Sequence, residues 1–279
     1  MTFKRLMRLY ALYAKMDFAW LLRDAWFAVL AIVSEWISNI AAITGVFLLA
    51  WRFDGIGGMD KFEVLLMLAY YTVVTGVFQL FFASNNTGHI SRRIGHGQFE
   101  HMLVQPVPLA VQLLTEGFIP FSGSSKLISG VVIMCIAVAK LGLPVTWWWV
   151  LSVAGNVAVT IAIILGQSYL YSSLAFYAPV QAEEISTYAI DNVGYISSFP
   201  LSGMPVYMQL PLITVIPSGL LAWFPTLALL GKPPLGLPGA LPLLFAVVLA
   251  ALASILFRKG FRYYVQKGTN RYLAWGHRR

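Results

Sequence analysis

An all-α polytopic membrane protein with six transmembrane helices is the fold class that this sequence predicts, and three observations lead to it. Of 279 residues, 59% are apolar types and only 11% are charged, with a mean hydropathy of +0.75. An ordinary soluble domain carries about 25% charged residues. Apolar runs recur along the chain at about 20 residues, the length that crosses roughly 30 Å of hydrocarbon with every backbone group bonded inside its own helix. The bases gather at the two ends: 12 of the 19 lie before the first run or after the last. One cysteine, Cys135, excludes an internal disulfide framework and a four-thiolate metal site.

The first predicted span lies near residues 27 to 51, starting at Phe27, and the second near 63 to 84, after the loop RFDGIGGMDK. The third lies near 122 to 142, and the fourth runs from the cluster Trp147, Trp148 and Trp149 to about Tyr171. A fifth is read near 208 to 230 and a sixth near 239 to 257, all in a single transmembrane domain covering 1 to 279. Seven of the 14 prolines fall between Pro211 and Pro242, so span five is expected to be kinked, broken or re-entrant.

Charge orients the stack. The opening 26 residues hold Lys4, Arg5, Arg8, Lys15 and Arg23; the tail holds Arg258, Lys259, Arg262, Lys267, Arg271, Arg278 and Arg279. The positive-inside rule puts both termini in the cytoplasm, which requires an even number of crossings. The loops assigned to the outside carry only Arg52, Lys61, Lys140 and Lys232. The net charge of +8 is therefore read as topology and not as a nucleic-acid surface. The first residues do not resemble a secretory leader, because bases are spread through them without a small-residue cleavage site.

Between the spans, the segment MTFKRLMRLYALYAKMDFAWLLRDAW interleaves Leu6, Leu9, Tyr13, Phe18 and Leu22 with bases, as a helix lying in the membrane interface does. The stretch from His89 to Gly117 is too polar for lipid at Ser91, Arg92, Arg93, His96, Gln98, Glu100 and His101. It still offers Ile90, Ile94, Phe99, Met102, Leu103 and Val104 for docking. Arg92, His96 and Glu100 recur every four residues, so one helix would put them on one face, and Pro106 and Pro108 would end it. The interval after span four contains Glu183, Glu184 and Asp191 but no base, and parity assigns it to the cytoplasm as an amphipathic or partly embedded helix.

Glu35 is the one acid well inside a predicted span, with Asn39 a turn away as its expected hydrogen-bond partner. Ser34, Ser38, Ala42 and Gly45 give the same helix a small-residue side for close packing. Packing with a polar lock, contact with substrate or a proton, and a shallow snorkelling carboxylate are the three readings of Glu35. His89, His96 and Glu100 have only a superficial metal-ligand spacing, and no second cluster supports them. No G-x-x-x-x-G-K-[ST], G-x-S-x-G or H-E-x-x-H run occurs, so energy or chemistry has to come from another chain. The alternatives are a secondary transporter using Glu35 for ion coupling, or a membrane scaffold; no inverted repeat favours the former.

The basic interfacial N-terminus, IGHGQFEHMLVQPVPL from Ile94 to Leu109, YISSFPLSGMPVY from Tyr195 to Tyr207, the proline-rich region and FRKGFRYYVQKGTNRY from Phe257 to Tyr272 together resemble the ABC-2 type transporter permeases, in their six-span export group. The resemblance covers nearly the whole chain. It implies a transporter of two permease subunits, as a homodimer or a heterodimer, with two cytoplasmic ATPase subunits that bind ATP and Mg. This chain would hold no cofactor, catalyse nothing itself, and sit among lipid in a bacterial inner membrane, moving a hydrophobic or amphipathic substrate outward. The segment Arg92 to Val104 would resemble the coupling helix. Arg92, Arg93, Gly95, His96, Gly97, Phe99, Glu100 and Leu103 form the expected ATPase-coupling loop, with Phe99 and Leu103 as knobs in the ATPase groove.

Overall fold

The computed structural model describes residues 3–82 and 87–268, with the side chains of 87–89 and 186–187 outside the description. His89, Arg271, Arg278 and Arg279 of the sequence reading therefore lie outside the described side chains. Among the described residues the fold is all helical, apart from one isolated bridge between Ile56 and Met59. Helix α1 (Phe3–Arg23) is followed at once by α2 (Ala25–Arg52), where the Asp24 carboxylate accepts from the Phe27 N–H at 3.3 Å and starts the new helix. A short turn leads to α3 (Lys61–Phe82), the central helix, whose residues Glu63 to Tyr70 are all buried.

Three short helices follow: α4 (Thr87–Gly95), α5 (Gln98–Leu103) and α6 (Leu109–Thr115). The chain then runs back as α7 (Ser125–Leu141), turns at Gly142 (φ +61°), and returns as α8 (Trp147–Ser172) with a 3-10 turn at Ser173–Phe176. Helix α9 (Pro179–Ser197), α10 (Val206–Thr214), α11 (Trp223–Leu229) and α12 (Leu241–Lys267) complete the fold. Helices α2, α3, α8 and α12 are long and apolar enough to cross a membrane, and the bent pair of α10 with Pro217–Leu229 makes a fifth if it counts as one span. The chain is a multi-pass membrane protein.

Close backbone approach sets the α3–α7 pair. A Cβ on Gly76 would run into the backbone of Lys126 and Leu127, and one on Gly130 would lie 2.7 Å from the Val73 nitrogen. As one helix advances the other recedes, so the two are antiparallel, and each glycine admits its neighbour's backbone. Helices α8 and α12 run the same way: Gly166 meets Leu249, Tyr169 meets Phe257 with ring centroids 5.5 Å apart, and Gly260 meets Phe176. Two ends of the bundle follow from this. The turn end holds the α2–α3 and α7–α8 connections; the loop end holds α1, α4, α5 and α6.

Because α8 and α12 are parallel, the chain between them has to return from the loop end to the turn end, and α9 with its following loop does so. Glu183, near its start, bonds Arg92 of α4 at the loop end, 2.9 Å away. Past its finish, Gly203 backs onto Gly57 in the α2–α3 turn, where a Cβ would lie 2.9 Å from the Gly57 Cα. The segment that follows then enters and leaves at the turn end. Its entry is fixed by Gly203, and its exit by Lys232, whose ammonium lies 2.6 Å from Glu63 at the start of α3. Between them the chain bends by 76°, and Pro217 to Leu227 are buried without exception.

The segment near 208 to 230, expected as a kinked, broken or re-entrant fifth span, is a bent pair whose two ends both lie at the turn end, and the interval before it runs from the loop end to the turn end. The physical reason is that apolar content reports burial, whether in lipid or in protein. Hairpin residues Trp223, Phe224 and Leu227 are buried in protein, while α9 carries Glu183, buried and paired with Arg92, and Asp191, which lines a cavity with polar walls. Helix α12 also continues unbroken to Lys267, beyond the expected end near 257.

Candidate functional site

The loop between α3 and α7 is built from the inside outward. Ile90, Ile94, Phe99 and Met102 are buried, and Phe99 is completely so. Its ring stands edge-on to Phe176 at 5.6 Å and to Tyr264 at 5.7 Å, with Phe261 at 6.2 Å. Phe99 is therefore an anchor inside this chain and not a knob on its surface, a correction to its expected contact. The free apolar surface of the loop is supplied by Leu103, 38% exposed, and Val104, 81% exposed, beside the exposed His101, Gln105 and Pro106.

A single helix through Arg92, His96 and Glu100 does not form. Gly97 adopts φ +72°, a left-handed conformation open to glycine, and its N–H bonds the Ile94 carbonyl at 3.1 Å, closing α4 before α5 begins. The one helix that would carry all three side chains is broken at that point. Gly95 is buried and His96 is exposed. The two arginines instead reach other elements: Arg92 pairs with Glu183 of α9, and Arg93 bonds Glu116, just after α6, at 2.7 Å. These partners were missed from sequence. For Glu183 the signal was present in charge complementarity between a loop rich in bases and a later interval with acids alone; Glu116 lies in the same stretch as Arg93.

Glu35 joins three helices. It accepts from the Gln79 amide at 2.8 Å and from the Ser125 hydroxyl, so α2, α3 and α7 meet at one carboxylate. Asn39 does not pair with it; its amide nitrogen is buried with no hydrogen-bond partner among the described residues. Asn39 lines a different cavity, of about 440 Å³, with Lys126, Asp191, Tyr71, Thr72 and Thr75. Neither Lys126 nor Asp191 forms an ion pair among the described residues. Sequence reasoning missed this cavity because Asn39, Tyr71, Lys126 and Asp191 are far apart along the chain.

Helix α1 is fastened to the loop end by a buried acid. Asp17 accepts from the N–H groups of Phe121 and Ser122 at 2.8 and 3.1 Å and from the Ser122 hydroxyl at 2.5 Å. A cavity of about 460 Å³ separates α1 from α2 and contains Tyr13, Asp17, Glu35 and Glu116. Burial pushes the Tyr13 hydroxyl pKa up, and the Glu116 carboxylate adds to the effect. Among the described residues no group of three metal-ligating side chains comes together.

A family model described as ABC-2 family transporter protein matches residues 36–268, from the Glu35 region of α2 to the end of α12. The chain belongs to the ABC-2 transporter family. No curated protein and no solved structure shows significant similarity to it. As an ABC-2 family permease the chain is a non-catalytic membrane component without ATPase activity of its own. The matched stretch takes in the Phe99 loop, α9 and the re-entrant hairpin, and leaves α1 outside it.

Proposed function

We propose that this permease is the membrane-spanning subunit of an ATP-driven exporter, paired with a second permease subunit and with two ABC ATPase subunits that hold ATP and Mg. Its cargo is hydrophobic or amphipathic and moves outward across a bacterial inner membrane. The observation that carries the reading is the seating of Phe99. A loop displaced by a partner at Leu103 and Val104 would drag the Phe176–Phe261–Tyr264 cluster, and with it the loop-end halves of α8 and α12. Arg92 and Glu183 give the same loop a grip on α9. A packed link of this kind can carry movement from the site of ATP-driven closure to the helices that line the path.

In this reading the loop end is cytoplasmic, by the basic residues of α1 and of the end of α12. The chain crosses six times, through α2, α3, α7, α8, α9 and α12, with the α10–α11 hairpin entering from outside. Helix α7 has 17 residues and spans about 25 Å, the lower end of what a bilayer core accepts. Helix α1 lies in the cytoplasmic interface. Glu35 acts as a packing lock, since both its oxygens accept from neighbouring helices.

Co-reconstitution with a candidate ATPase in liposomes tests the proposal. ATP hydrolysis that rises with the permease and again with an amphipathic cargo supports it. Cargo movement driven by an ion gradient with no ATPase present would replace it with secondary transport.

A further inference from the structure

We propose that the cavity between α6, α8 and α12 is a binding site for one anionic phospholipid of the leaflet at the loop end. The cavity measures about 500 Å³, and its interior is apolar, with Leu113, Leu165, Phe257 and Phe261 among its walls. No acid lines it, and its one charged residue is Arg258. That arginine directly follows Phe257, where the apolar run of α12 gives way to Arg258, Lys259 and Arg262. The cavity therefore sits where hydrocarbon meets headgroups, with its greasy part toward the membrane centre and its positive charge at headgroup depth.

The charge is available. Arg258, Lys259 and Arg262 are exposed, and none of them makes a hydrogen bond or ion pair among the described residues. Ala250 and Ser254, also exposed, leave the flank of the cavity open to the lipid side. An acyl chain fits the apolar walls, and a phosphate held at Arg258 satisfies a guanidinium whose fork matches phosphate oxygens. A zwitterionic headgroup brings its own cation to a rim that is already positive. The wall opposite α12 is α6, through Leu109, Ala110 and Leu113, and α6 is joined to the Phe99 loop. A lipid seated here bridges that loop to α8 and α12, so membrane composition tunes how firmly the loop is held.

The proposal stands whether or not the subunit is an exporter, and its test uses the purified full chain alone. Phosphatidylglycerol and phosphatidylcholine are compared in nanodiscs for the rise in unfolding temperature, and in native mass spectrometry for retained lipid. The expected results are retention of phosphatidylglycerol over phosphatidylcholine, no effect of inorganic phosphate, and a preference reduced about fivefold in Arg258→Gln. Arg8→Gln, which removes an exposed base of α1 outside the cavity, leaves the preference unchanged. Ala250→Trp, which fills the open flank, loses the retained lipid. Equal retention of the two lipids by the native chain, or equal losses in Arg258→Gln and Arg8→Gln, overturns the proposal. Should Ala250→Trp fail to fold, the comparison of the two arginine variants decides alone.

Discussion

Phe99 and Val104 lie five residues apart in one loop and have opposite roles. Phe99 is fully buried among rings from the end of α8 and from α12, so Phe99→Ala is expected to cost about 3 kcal/mol or more, measured by unfolding in nanodiscs. Val104 is 81% exposed, and Val104→Asp is expected to leave the unfolding temperature unchanged. Glu35 makes a second contrast. Glu35→Gln retains one acceptor and is expected to cost about 1 kcal/mol, whereas Glu35→Ala strands the Gln79 amide and the Ser125 hydroxyl and costs about 2 kcal/mol or more. Equal losses in the two variants would remove the three-helix lock. The importance of Glu35 was legible from sequence, because an acid in an apolar run is costly unless it is satisfied. Its partners were not legible, since Gln79 and Ser125 are 44 and 90 residues away along the chain.

Among elements, the α3–α7 pair depends on glycines that periodicity alone does not distinguish. Gly76 faces the backbone of Leu127, so Gly76→Ala forces the helices apart and is expected to cost about 1 to 3 kcal/mol. Gly45, on the small-residue side of α2, has nothing within 4 Å of its added Cβ, and Gly45→Ala is expected to stay within about 0.5 kcal/mol of the native chain. Helix ends α2, α3 and α8 were readable to within a few residues because apolar runs and the Trp147 cluster mark them. The segment Arg92 to Val104 was not, because Gly97 breaks what its polar spacing suggests is one helix.

The fifth predicted span was legible as bent but not in its path, for a reason that belongs to the whole molecule. Hydropathy counts apolar atoms without knowing whether lipid or protein covers them, so a hairpin buried at Pro217 to Leu227 scored as a span while polar α9 did not. Cysteine labelling separates the two topologies, after the native Cys135, which is exposed on α7, is replaced by serine. Cysteines introduced at Ser202 and Lys232 are expected to react with an impermeant maleimide from the same side as one at Asp54. A cysteine at Ser202 that reacts only from the side of the α4–α5 loop would restore 208–230 as a crossing and remove α9 from the set.

The whole-molecule account turns on the Phe99 loop relaying ATPase movement into α8, α9 and α12. Its most direct test is the rate of ATP hydrolysis by a reconstituted partner ATPase, with and without this permease, compared between the native chain and Val104→Asp. The expected result is stimulation by the native chain and its loss in Val104→Asp at unchanged unfolding temperature. Full stimulation by Val104→Asp would contradict the account, because the exposed face of the loop would then carry no part of the coupling.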